Sequence, residues 1–195
     1  MAIKIYLFDL DDTIIDTKIY AKIYTPILNM IQKKLDLNNK QLDEKAKELN
    51  LEKNKFSRWD TGELCKELNL LEEYYKILEK QIKVMPVLHK TILNVFREIK
   101  KQNKKIGIVS NSMTRTIKAY LNRYKLNDYI DFIFSIDDSG CKKRDEKYWK
   151  TLIEKKKLNP EECLVIGDDI IQDVKTPERV GFNTFLIKKP SDLKK

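Results

Sequence analysis

Short apolar runs that end abruptly at polar residues are the feature that most restricts how this chain can fold. Residues 3–8 are apolar except for Lys4 and end at Asp9, and residues 106–109 end at Ser110. Further runs of this kind follow later in the chain, at 129–134, 164–166 and 184–187. Runs of this length suit strands that are buried on both faces of a parallel sheet.

Helical patterns lie between these runs. Apolar residues recur at helical spacing within 88–99, 113–124 and 148–153, as expected for helices that place one face on a core. Strands that alternate with helices of this length are typical of α/β proteins with a parallel sheet. The pattern therefore predicts a Rossmann-like core with three layers, α/β/α.

One long segment breaks the alternation. Residues 17–84 contain no convincing strand, and their apolar residues follow helical spacing. We therefore predict a core domain formed by residues 1–16 and 85–195, and a small all-helical cap domain formed by residues 17–84. An insertion after the first strand lies at the sheet edge where ligands bind in such folds, which makes it a candidate lid.

The composition narrows the classes of protein that remain. No apolar run approaches the roughly 18 residues of a membrane helix, and the N-terminal run meets Asp9 too early for a signal peptide, so we expect a soluble, cytoplasmic protein with no membrane partner. The three cysteines form no paired motif, and the single histidine, His89, excludes a histidine-rich zinc site. The net charge of +9 permits an anionic partner, but the lysines alternate with glutamates, which argues for a solvated surface and against nucleic acid.

Polar residues concentrate where the predicted strands end. They fall into three groups: Asp9, Asp11 and Asp12; Ser110, Asn111 and Ser112; and Asp168, Asp169 and Asp173. The carboxyl ends of parallel strands share one crevice, and several carboxylates there require a cation. Mg²⁺ is the natural choice because it prefers oxygen ligands. Two carboxylates at the spacing of Asp9 and Asp11 can act as a nucleophile and a proton donor on one substrate.

Four stretches of the chain resemble, in order, the four motifs of the haloacid dehalogenase (HAD) superfamily. They are FDLDDTI at 8–14, IVSN at 108–111, KRDEKYW at 143–149 and VIGDDIIQD at 165–173. The third departs from the usual pattern, since many members have proline where Arg144 and Glu146 stand. The second aspartate of the first motif, Asp11, is absent from the dehalogenase members, so the resemblance points to the phosphatase branch, with a helical cap inserted after the first strand.

The resemblance implies a mechanism and a set of site residues. Asp9 is expected to attack phosphorus and form an aspartyl phosphate, and Asp11 to serve as general acid and base with a raised pKa. The implied Mg²⁺ ligands are Asp9, Asp168, Asp173 and the backbone carbonyl of Asp11. The implied phosphate ligands are Ser110, Asn111 and Lys143.

Several assignments stay open at this stage. Lys142 is adjacent to Lys143, so either lysine can be the phosphate ligand. Asp12 and Asp169 can be helix caps or turn residues instead of metal ligands, and Asn111 and Ser112 can cap the following helix instead of contacting substrate.

The sequence as a whole predicts a Mg²⁺-dependent phosphatase that hydrolyses a small phosphorylated metabolite, such as phosphoglycolate, a sugar phosphate or a nucleotide. The alternatives are a sugar phosphomutase of the same superfamily and a non-catalytic, receiver-like phosphoacceptor module. A nucleic-acid end phosphatase is disfavoured because no basic and aromatic stripe accompanies the positive charge. Nothing in the sequence indicates an oligomeric state.

Overall fold

The fold is built on one five-stranded parallel sheet. The computed structural model describes residues 2–54, 57–189 and 192–193 of the 195-residue chain. The strands are β1 (Ile5–Phe8), β2 (Lys105–Val109), β3 (Phe132–Phe134), β4 (Cys163–Gly167) and β5 (Asn183–Leu186). Their order across the sheet is β3-β2-β1-β4-β5, and every neighbouring pair is parallel. The predicted Rossmann-like α/β fold is confirmed.

Helices connect each strand to the next along the chain, as a parallel sheet requires. They are α1 (Lys18–Leu35), α2 (Asn39–Glu48), α3 (Thr61–Glu67), α4 (Leu71–Val84), α5 (Ile92–Lys101), α6 (Thr114–Tyr124), α7 (Ile136–Ser139), α8 (Glu146–Lys156) and α9 (Thr176–Arg179). A π-helical turn, Ile170–Lys175, precedes α9 directly. Parallel strands need such crossovers because a tight turn cannot join them.

The third strand is shorter than the sequence suggests. The apolar run predicted a strand over 129–134, but β3 begins only at Phe132. Residues Asn127–Tyr129 form a 3₁₀ turn instead. The carboxylate of Asp131 explains the late start, because it turns back to accept a hydrogen bond from the backbone N–H of Ile106 at 2.7 Å.

The core lies on both faces of the central strands. Leu7 of β1 and Val165 of β4 are fully buried, and they pack in one cluster with Tyr148 and Trp149 of α8. The rings of Trp149 and Phe182 meet edge to face with centroids 5.4 Å apart. Helix α8 is thereby fixed against the sheet just after the loop that carries Lys143, which matters for the site described below.

The chain divides into two compact units, Met1–Thr17 with Val87–Lys195 and Lys18–Pro86. The second unit contains α1 to α4, and its described residues include no strand. Helix α1 buries one residue per turn along a single face, and it packs against α3 and α4. Its buried residues are Ile19, Ile23, Ile27 and Ile31. Among the described residues, no helix has the length and apolarity that crossing a bilayer would need.

Candidate active site

Polar residues that follow three neighbouring strands meet at one edge of the sheet. Asp9 follows β1, Ser110 follows β2 and Asp168 follows β4, and β1 lies between the other two strands. The backbone N–H of Asp9 donates to the Ile166 carbonyl at 2.9 Å, and that of Ser110 donates to the Phe134 carbonyl at 3.1 Å, so both residues extend the sheet hydrogen bonding. Strand order reverses at β1, and α/β folds bind ligands at such a reversal.

Three carboxylates converge at this edge. One oxygen each of Asp9, Asp168 and Asp173 lies within 4.8 Å of the others. Asp9 and Asp173 are buried, whereas Asp168 is exposed. Asp173 stands on the π-helical turn, a rare conformation that is often found at functional sites. Three hard oxygen donors from separate parts of the chain are a donor set that suits Mg²⁺, so the residues fit this ion.

The ammonium of Lys143 lies inside this carboxylate cluster. It donates to Oδ1 of Asp173 at 2.6 Å and also to Oδ1 of Asp9. Lys143 is only 2% exposed, whereas the neighbouring Lys142 is partly exposed. Of the two lysines that the sequence left open, the structure therefore brings Lys143 to the acidic cluster.

Burial and like charge shift the pKa values of the cluster. Burial raises the pKa of Asp9 well above its usual range; the positive charge of Lys143 opposes this rise, and the negative charges of Asp173 and Asp11 add to it. For Lys143, burial favours the neutral amine, but the charges of Asp9 and Asp173 outweigh that effect and raise its pKa. Asp168 is exposed as a residue, but partial desolvation of its carboxylate, with the charges of Asp173 and Asp12, raises its pKa to about 6. A bound divalent cation would relieve this repulsion between carboxylates.

Asp11 is oriented by a hydroxyl that the sequence did not connect with it. The Oγ of Ser112 donates to Oδ2 of Asp11 at 3.0 Å, while the backbone N–H of Ser112 donates to Oγ of Ser110. Helix α6 has Met113 as its N-cap with no side-chain hydrogen bond. The alternative that Asn111 or Ser112 caps this helix is therefore wrong.

Asp12 and Asp169 are turn and cap residues, as one alternative held. Asp12 has a left-handed backbone (φ 54°), and its carboxylate accepts hydrogen bonds from the N–H and the hydroxyl of Thr17. Asp169 is the N-cap of the π-helical turn and accepts from the backbone N–H groups of Ile171 and Gln172 at 2.8 and 2.9 Å. Both carboxylates therefore accept hydrogen bonds from residues close to them in the chain, as turn and cap residues do.

The side chain of Asn111 is bonded to protein at both ends. Its Oδ1 accepts from the backbone N–H of Lys143 at 2.8 Å, and its Nδ2 donates to Oε1 of Gln172 at 2.6 Å. The phosphate contact expected of Asn111 stays a prediction. Gln172 could not be recognised from the sequence, because it occupies one of the four unspecified positions between Asp168 and Asp173 in the fourth motif.

Two aromatic residues of α8 hold the loops around the site. Nε1 of Trp149 donates to the carbonyl of Lys143 at 2.8 Å, and the hydroxyl of Tyr148 donates to the carbonyl of Phe134 at 2.8 Å. Both side chains are fully buried. The position of the Lys143 backbone is therefore tied to the hydrophobic core.

Comparison with known proteins agrees with this geometry. The profile of the family described as haloacid dehalogenase-like hydrolase matches residues 6–187, which is nearly the whole chain. This chain belongs to that family. The matched range includes all four motifs and the helical unit inserted after β1, so the chain is a HAD-type hydrolase along its length.

Individual proteins extend this likeness. The chain is 25% identical to the glyceraldehyde 3-phosphate phosphatase of Pyrococcus furiosus, over 95% of this chain and 81% of that protein. Among solved structures, a HAD phosphatase from Thermococcus onnurineus superposes with a TM-score of 0.73 at 22% identity, covering 96% of this chain and 86% of the other. The magnesium-bound HAD-hydrolase YfnB from Bacillus subtilis gives a TM-score of 0.63 at 22% identity, covering 96% and 89%. These two structures share the fold of this HAD-type hydrolase.

Proposed function

We propose that this protein is a Mg²⁺-dependent phosphatase that hydrolyses small phosphate monoesters through an aspartyl phosphate on Asp9. The observation that carries the proposal is the convergence of three carboxylates within 4.8 Å around a buried lysine ammonium. A site with this mixture of charges can hold a cation and a phosphoryl group together. The relative named glyceraldehyde 3-phosphate phosphatase supports a small phosphorylated substrate.

The proposed metal ligands are the carboxylates of Asp9, Asp168 and Asp173, with the backbone carbonyl of Asp11. Bound Mg²⁺ would supply positive charge that offsets the repulsion between an anionic nucleophile and an anionic phosphate. Lys143 adds to this positive charge from the protein side. Its ammonium bonds Asp9 and Asp173, so it also holds these carboxylates in place.

In the first step, an oxygen of Asp9 attacks phosphorus and the bond from phosphorus to the ester oxygen breaks. The leaving alkoxide takes a proton from the carboxyl of Asp11, so a neutral alcohol departs. The hydrogen bond from Ser112 to Oδ2 of Asp11 orients this acid. The hydroxyl of Ser110 and the ammonium of Lys143 bind the phosphoryl oxygens during transfer.

In the second step, the Asp11 carboxylate accepts a proton from water, and the resulting hydroxide attacks the phosphorus of the aspartyl phosphate. The bond between phosphorus and the Asp9 oxygen breaks, which releases inorganic phosphate and restores both carboxyl groups to their starting states. One residue thus acts as acid and then as base. This cycle requires Asp11 to be protonated when the ester binds, in line with the raised pKa that the sequence predicts for it.

We also propose that the helical unit, residues 18–86, acts as a cap that selects the substrate. Its place in the chain supports this role, because it is inserted directly after the segment that carries Asp9 and Asp11. Loops and insertions that follow the strands of an α/β sheet are where such folds vary their specificity.

The test is phosphate release from p-nitrophenyl phosphate, glyceraldehyde 3-phosphate, phosphoglycolate and sugar phosphates, with Mg²⁺ or with EDTA. We expect activity only with Mg²⁺ and a loss of at least about a thousandfold in Asp9→Asn. Asp128→Asn, the same change at an exposed position, is the control and should retain full activity. Activity that survives in Asp9→Asn would contradict the proposal, and transfer of phosphate to a sugar instead of water would indicate a mutase.

A further inference from the structure

A closed ring of hydrogen bonds includes Lys143 and Asp173, two members of the charged cluster. Its members are Lys143, Asn111, Gln172, Asp169 and Asp173. The backbone N–H of Lys143 donates to Oδ1 of Asn111. The ammonium of the same lysine donates to Oδ1 of Asp173 at 2.6 Å, which closes the ring. The ring links loops that follow β2, β3 and β4 in the chain.

The ring has a single self-consistent pattern of donors and acceptors. Oδ1 of Asn111 faces an N–H, so its Nδ2 must face Gln172, where it meets Oε1 at 2.6 Å. The Gln172 carboxamide therefore turns its Nε2 to Oδ2 of Asp169, at 3.2 Å. The backbone N–H of Asp169 then donates to Oδ2 of Asp173 at 3.1 Å. Because each amide has one orientation that satisfies both neighbours, the pattern specifies a unique arrangement.

Gln172 has no role in the reaction proposed above, and neither have Asn111 and Asp169. It is half-buried, and it joins the loop after β2 to the turn that carries Asp173. Lys143 needs such support because its ammonium sits on a flexible four-carbon chain and its loop precedes α8 without regular structure of its own. Trp149 donates a hydrogen bond to the carbonyl of Lys143, and Asn111 accepts one from the backbone N–H of Lys143.

We propose that Gln172 and Asn111 act as positioning residues, which fix Lys143 against Asp9 and Asp173 through the Asn111–Gln172 hydrogen bond. The side chain of Asn111 works through Lys143 and not by direct contact with phosphate. This inference rests on the proposed phosphatase activity for its kinetic consequences, but not for its structural ones. It predicts that a residue outside the phosphate contacts limits the rate of phosphoryl transfer.

The kinetic test is Gln172→Met, which keeps an unbranched side chain of similar size and removes both polar atoms. We expect kcat for p-nitrophenyl phosphate to fall by about tenfold to a hundredfold, with KM changed by less than about threefold, because a misplaced lysine weakens transition-state binding. Asn111→Ala should give the same pattern, and the double variant should be no slower than Asn111→Ala. Gln102→Met, the same change at an exposed position, is the control.

A different pattern would overturn the inference. If Asn111 contacts phosphate directly, Asn111→Ala raises KM and Gln172→Met leaves both constants unchanged. Gln172→Glu gives a second check, since it keeps an oxygen for Asn111 but sets a carboxylate against Asp169. It should therefore be impaired like Gln172→Met, and wild-type kinetics in Gln172→Glu would count against the ring.

A structural readout separates this inference from the proposed function. The urea midpoints of wild type, Asn111→Ala, Gln172→Met and the double variant form a double-mutant cycle that needs no substrate. We expect the two shifts to be clearly non-additive, because either change breaks the same hydrogen bond. Additive shifts of the midpoints would refute the proposed role of the Asn111–Gln172 hydrogen bond. If the shifts are non-additive while wild type hydrolyses no ester, the role of the Asn111–Gln172 hydrogen bond is supported and the proposed function fails.

Discussion

Replacing Gly167 with alanine is expected to disable the site by forcing Asp173 out of position. Gly167 is the last residue of β4, and the side chain of Asp173 folds back directly over it. A Cβ at this position would lie 2.2 Å from Cγ and 2.3 Å from Oδ2 of Asp173. Ordinary contact begins near 3.4 Å, so the carboxylate would have to retreat by about 1.2 Å.

That retreat is larger than the hydrogen bonds of Asp173 can absorb. Its Oδ1 accepts from Lys143 at 2.6 Å and its Oδ2 accepts from the N–H of Asp169 at 3.1 Å. Crowding of this kind costs about 1–3 kcal/mol, and each weakened bond to the charged carboxylate adds to that cost. We expect the free energy of unfolding to fall by about 2–4 kcal/mol and the affinity for Mg²⁺ to fall at least about tenfold.

Gly107→Ala is a matched control in β2, which β1 separates from β4. Its Cβ would meet the ring of Phe132 at 2.5 Å and Leu7 at 3.0 Å, so it also crowds the fold, but its nearest neighbours are apolar side chains. We expect a similar loss of stability in urea unfolding, with Mg²⁺ affinity by calorimetry unchanged. If folded Gly167→Ala keeps wild-type Mg²⁺ affinity and activity, then the site does not depend on the close approach of the Asp173 side chain to Gly167.

Three further outcomes follow from the charges of the molecule. Lys143→Met should lower the free energy of unfolding by about 3–5 kcal/mol near neutral pH, because it leaves buried carboxylates unpaired. Burial raises the pKa of Asp9 and Lys143 opposes that rise, so removing Lys143 raises this pKa further. The loss of unfolding free energy should therefore be smaller in urea titrations at mildly acidic pH, where Asp9 of the folded variant takes up a proton. Asp131→Asn should cost about 1–2 kcal/mol at neutral pH, since the bonds from Lys100 and the N–H of Ile106 outweigh partial burial and lower the Asp131 pKa. The difference from wild type should begin to shrink as the pH falls through about 4, where unfolded Asp131 takes up a proton, and should disappear only below the lowered pKa of the folded protein. Saturating Mg²⁺ should stabilise wild type by about 2–3 kcal/mol at a hundredfold excess over Kd in thermal unfolding, with little gain in Asp168→Asn.

Much of the fold was readable from the chain because its signals are local. Each apolar run that ends at a polar residue marks a strand and its carboxyl end, so residues 3–8 and 106–109 predicted β1 and β2 to within two residues. The third run predicted a strand that begins three residues too early, because apolar character alone does not distinguish a strand from a 3₁₀ turn and Asp131 bonds to Ile106 in a neighbouring strand. That contact has no local signature.

The amino-acid sequence alone determined which residue types stand at the strand ends, and hence that Asp9, Ser110 and Asp168 could share one edge. Which of their side chains meet there depends on how the chain packs. The tertiary structure brought the ammonium of Lys143, and not that of Lys142, to the carboxylates, and it joined Asn111 to Gln172. The physical reason is that strand order and register bring together residues far apart in the chain, at distances where a few tenths of an ångström decide a hydrogen bond.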